Sequence, residues 1–275
     1  MLIKKIPYII LLLLLWSCGK DEIIEYNQWS LSDESFNELL QLSDTTGLSD
    51  YETFGIRMDR IQSLFAEIQD PRGAFTTVYE QITNAAINSV SAGFYENGQF
   101  VSDFGLAFGK LYLVNLHYHL LHQPTRIHWE KYYAECTSSK HFSQLMAMGV
   151  NAHITIDLVE ALIELQVTEA EESDWVLIST ALLDGVSAFQ EEFESAYTED
   201  ISELIAFYGF GDFLDEIYGD NTTIYTLLNE LRYVGYLDAL KYLAGFEKNI
   251  DYKVRKRFED LNNSIQFLDE SGLLP

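Results

Sequence analysis

Residues 148–165 read MGVNAHITIDLVEALIEL, and their spacing decides the fold. Ile154, Ile156, Leu158, Ala161 and Ile163 wrap most of a helix. His153, Asp157, Glu160 and Glu164 share one edge, about 60° wide at the ~100° per residue of an α-helix. The apolar pattern extends the helix to about Lys140–Gln166, with Gly149 as a candidate bend. No alternating, strand-like pattern occurs in it.

Outward from this stretch the spacing stays helical. Helices are expected near Asp33–Leu42, from Ser49-Asp50-Tyr51-Glu52 with Ile56, Leu64 and Ile68 inside, over Ala74–Ala92, and over Ser102–His122. GFYENGQF is read as the turn before the last of these. A short helix follows at His128–Cys136, and the acidic TEAEESDW leads into a helix ending near Tyr197. Three more are expected near Ile201–Tyr218, Thr222–Ala244 and Asp251–Asp269. The reading is all-α, a single compact bundle of about nine helices over residues 32–275. No repeat or long linker divides it.

The N-terminal residues supply an address. MLIKKIPYIILLLLLWSC places Lys4 and Lys5 before an apolar run of about ten residues, short for a bilayer of roughly 30 Å. Ser17-Cys18 resembles a lipoprotein lipobox, so residues 1–17 are expected to be a signal peptide and Cys18 the lipid attachment. Several acyl chains on one residue hold it to a membrane, at about 0.8 kcal/mol per buried methylene. Lys20-Asp21-Glu22 resembles the surface-export signal of lipoproteins in one Gram-negative phylum. The expected location is therefore the outer membrane, facing outward, with residues 18–31 as a tether.

Composition narrows the partners. Seventeen basic side chains stand against 43 acidic ones, a formal net charge of −26, which repels nucleic acid phosphates. With Cys18 lipidated, Cys136 has no disulfide partner among the two cysteines, so stability rests on the core. At 48% hydrophobic residues, 275 residues suffice for one.

The chemistry-bearing candidates centre on the opening helix. His153 and Asp157 stand one turn apart, the spacing with which helical zinc and di-iron sites hold a cation. Asp157 at that spacing also suits the orientation of His153 as a general base. The competing reading makes Asn151, His153 and Asp157 a buried polar knot, with Glu160 and Glu164 on the solvated side. No second ligand pair stands out. His117, His119, His122 and His128 crowd one region, and Asp59 and Asp103 open other helices, but no spacing selects among them. Cys136 lacks an activating neighbour, and no phosphate loop, GxSxG or HExxH is present.

Several phrases together resemble the "domain of unknown function" family numbered 5995. They are RMDRI (57–61), FGKLYL (108–113), HWEKYYAEC (128–136) and LMAMGVNAHITIDLVEAL (145–162). The last is similar to the family's G-M-N-A-H-I-N-x-D-L-x-x-A-L block at Gly149, Asn151, Ala152, His153, Ile154, Asp157, Leu158, Ala161 and Leu162. Val150 stands for its methionine and Thr155 for its second asparagine. The resemblance covers about residues 50–245 and implies a helical domain, without a reaction. It also places Asn151, His153 and Asp157 in one block and Glu160 and Glu164 outside it. Two functions remain open: a lipid-anchored binding or interaction domain for a protein or small molecule, and a metal-dependent hydrolase with His153 and Asp157 on zinc or a similar ion.

Overall fold

Nine α-helices and no strands make up the regular structure of the residues described in the computed structural model, 31–137, 141–202 and 222–271. They are α1 (Asp33–Ser43), α2 (Tyr51–Ala66), α3 (Gly73–Ser91), α4 (Gly98–Leu120), α5 (Ile127–Glu135), α6 (Phe142–Glu164), α7 (Glu172–Tyr197), α8 (Thr222–Lys241) and α9 (Glu247–Glu270). The expected signal peptide, Cys18, nearly all of the tether and the helix near Ile201–Tyr218 lie outside the described residues.

Side-chain caps set several starts. Ser32, Asp50 and Asn97 accept hydrogen bonds from the backbone N–H groups of Ser35, Thr53 and Phe100, at 3.1, 2.7 and 3.1 Å. The cap of α2 is thus Asp50, one residue after the expected Ser49. Asn97 draws Gly98, Gln99 and Phe100 into α4, so the helix begins four residues before Ser102 and shortens the expected turn. Thr168 and Glu171 form a reciprocal capping box ahead of α7.

The buried face of α2 also differs from the expected stripe. Ile56 is 68% exposed, and Ile68 lies beyond the helix end. Phe54, Met58, Ile61 and Phe65 turn inward instead, a competing stripe at helical spacing with two aromatic rings. Burying those rings removes more apolar surface than burying Ile56 and Ile68.

α6 is the axis of the domain. By length and composition it is a helix able to cross a membrane, yet it is largely buried among the others. It packs on α3, α5 and α9 through its first half and on α4 and α8 through its second. Gly149 is not a bend. A Cβ there would stand 2.4 Å from Cβ of Phe75, so the glycine lets α3 lie directly on α6. The irregularity comes four residues later, where His153–Asp157 form a π-turn and the Leu158 N–H donates to the His153 carbonyl. A second such turn, Tyr242–Phe246, joins α8 to α9 and contains Gly245 at φ 96°, a conformation that favours glycine.

Candidate functional site

The π-turn accommodates one extra residue, so everything after it lags by roughly 100° around the helix. The four-residue edge expected from a regular helix is thereby divided. Asp157 is fully buried, whereas Glu164 is exposed and Glu160 is part-exposed and paired with Arg126.

Asp157 accepts three hydrogen bonds. His128 Nε2 donates to Oδ1 at 2.8 Å, while His153 Nδ1 and Trp129 Nε1 donate to Oδ2, both at 2.9 Å. His128 and Trp129 are adjacent on α5, so one carboxylate locks α5 to α6. Burial alone would push the Asp157 carboxyl up. The hydrogen bonds from His128 and His153 outweigh it and hold the group at about 2. Asp157 is therefore an anion at neutral pH, and each histidine nitrogen facing it carries a proton.

His153 is 1% exposed and clamped by rings. Phe108 stacks on it with centroids 3.5 Å apart and planes 12° apart, and the Tyr79 ring meets it edge to face with centroids 4.5 Å apart. Burial pulls its pKa down, against the opposing pull of Asp157, and the imidazole is neutral. With the proton on Nδ1, Nε2 is an acceptor. It is buried and receives no hydrogen bond. Leaving such a group unsatisfied costs about 1–3 kcal/mol.

Asn151 has a different task. Its Nδ2 donates to the Phe258 carbonyl at 3.1 Å, and its Oδ1 accepts from Thr155 Oγ1 at 2.9 Å. It ties α9 to α6 two residues before the histidine.

A cavity of about 270 Å³ adjoins His153, bounded by α2, α3, α4 and α6–α9. Its wall is almost entirely apolar and includes Phe75, Phe104, Phe108, Val150 and Leu158. Arg232 is the charged residue in the wall, its guanidinium 4.6 Å from the Trp175 ring centroid and donating to Ser179 Oγ.

The other candidates lie apart. His117 Nδ1 meets Ser43 Oγ at 3.0 Å, and His119 stacks on Tyr133. His122 ends α4 in the left-handed region. Asp59 and Asp103 accept from Asn84 and Gln99. Burial pushes the Cys136 thiol well up, away from the reactive thiolate. Among the described residues no group of three or more His, Cys, Asp or Glu side chains is placed to hold a metal ion. His153 and Asp157 face each other across a hydrogen bond. Sequence reasoning missed His128 and Trp129 as donors to Asp157. The available signal was their adjacency in HWEKYYAEC, a segment that carries the family resemblance.

Comparison with known proteins places this architecture. The chain belongs to the Family of unknown function (DUF5995), whose model matches residues 55–258. The match ends at Phe258, the residue whose carbonyl Asn151 holds. No curated protein and no solved structure matches the chain.

Proposed function

We propose that this domain is a binding module, displayed on the outer face of the outer membrane through a lipid at Cys18, which takes an apolar small molecule into the cavity beside His153. The observation that carries the reading is the cavity itself. Folded interiors are close-packed, and an apolar recess of about 270 Å³ leaves its wall atoms without the contacts that a guest would supply. A fold that keeps one, walled by rings and aliphatic groups, is suited to an apolar occupant. The strongly acidic surface favours a neutral ligand over an anionic one. A metal-hydrolase reading needs His153 and Asp157 turned toward a common ion, and Asp157 instead accepts N–H donors on both oxygens.

Naphthalene is a suitable first probe. The cavity is nearly twice the ~150 Å³ that holds benzene in an engineered protein core. At saturation naphthalene is expected to raise the melting temperature by about 3–8 °C. Ala147→Trp, which fills the wall of the cavity, should abolish that rise. An unchanged melting temperature in the unsubstituted protein would overturn the reading. Display has its own check: protease applied to intact cells should remove the protein, and a protected pool would place it inside.

A further inference from the structure

We propose that the ligand of this cavity carries a hydroxyl group, and that His153 Nε2 accepts its proton in a hydrogen bond. The inference deepens the binding reading above and rests on it. Three observations lead to it. The Asp157 carboxylate accepts from His153 Nδ1 at 2.9 Å, which fixes the proton there and leaves Nε2 as a lone-pair acceptor. Nε2 is buried without a hydrogen-bond partner. His153 is part of the wall of a nearly apolar cavity whose lining also includes Tyr79 and Arg232, so its acceptor complements their donors in orienting an apolar guest.

The tautomer is enforced on every side. Asp157 is itself held by His128 and Trp129. Phe108 and Tyr79 hold the imidazole plane, at centroid distances of 3.5 and 4.5 Å. A ring that is clamped, neutral and oriented through its far nitrogen discriminates by hydrogen-bonding type. It rewards a donor and gives nothing to an ether, a carbonyl or a hydrocarbon of the same shape. Such sites discriminate because the mismatched ligand leaves the buried group unpaired. The chemical class is a compact hydrophobic alcohol or phenol of roughly ten non-hydrogen atoms, scaled from the benzene-sized cavity.

The test compares 2-naphthol, 2-methoxynaphthalene and naphthalene by calorimetric titration of the full mature chain. 2-Naphthol is expected to bind about tenfold more tightly than either of the others, the difference one buried hydrogen bond supplies. His153→Phe should bring the three affinities within about twofold of one another. Should that variant fail to fold, nitrogen NMR of the unsubstituted protein serves instead. The His153 Nε2 resonance should move on adding 2-naphthol and stay in place with 2-methoxynaphthalene. If 2-naphthol binds no more tightly than naphthalene, the hydroxyl contact is overturned while the cavity reading survives. If none of the three binds, both fall.

Discussion

Asp157→Ala is expected to destabilise the domain by about 3–5 kcal/mol, the range for breaking a buried charged pair by removing one partner. For a domain of this length that corresponds to a fall in melting temperature of about 10–15 °C. Little of the effect comes from lost side-chain volume. The substitution strands the N–H groups of His128, Trp129 and His153 in a site with almost no solvent contact. It also removes the two side-chain hydrogen bonds by which His128 and Trp129 fasten α5 to the central helix. Asp157→Asn should be nearly as damaging despite its shape, because its amide NH2 turns donors toward donors. Glu164→Gln, exposed and only seven residues away, should change stability by no more than about 0.5 kcal/mol. Urea unfolding followed by circular dichroism measures all three. A loss below 1 kcal/mol for Asp157→Ala would show that the cluster does not hold the bundle together.

That contrast between Asp157 and Glu164 also marks how far the sequence could be read. Helix number and order were legible because apolar residues recur at helical spacing from α1 to α9, and a bundle of helices is the structure that buries such stripes. That Asn151, His153 and Asp157 are buried polar residues was one of the readings their block allowed. Their division from Glu160 and Glu164 was one of two readings of the residues, and the family resemblance favoured it. A regular 3.6-residue helix puts all of them on one edge, and nothing in HITID announces that the chain takes an extra residue into that turn. Gly149 misled for a related reason. A glycine in a helix is equally compatible with a bend and with a neighbour pressed against its α-carbon, and only the position of Phe75 on α3 decides between them. Ile56 and Phe54 offered two inward faces for α2, a choice that depends on what α4 presents opposite. His128 and Trp129 reach Asp157 across 29 and 28 residues of chain, and the cavity is bounded by seven helices. Features of that kind are properties of the assembled bundle and leave no local spacing to detect.

The same burial predicts how the domain fails in acid. His119 is held down at about 4, first by burial and then by the positive charges of Arg72 and His122. In the unfolded chain it titrates near 6.5. Between those values the unfolded chain takes up a proton that the folded one refuses, so stability falls as the pH drops from about 6.5 to about 4 and is level outside that window. His153, also shifted down by burial, adds to the loss in the same direction. Glu80 opposes both. Burial, with Asp59 and Glu192 nearby, raises its carboxyl to about 8, so its contribution improves as the pH falls from about 8 to about 4.5 and is level below that. The raw wild-type profile therefore mixes opposite slopes, and a variant is needed to separate them. His119→Phe keeps a ring to stack on Tyr133, 4.0 Å away, and cannot titrate. Allowing for the partial exposure of His119, its stability relative to wild type should rise by about 2 kcal/mol between pH 7 and pH 4.5. Denaturant titrations of both proteins at the two pH values measure this difference of differences. A relative stability that stays constant across the window would mean that His119 protonates as readily in the folded domain as in the open chain. Asp157, held near 2, responds later: its contribution is complete above about pH 4 and disappears as the pH falls through 2, where the clamp between α5 and α6 is released.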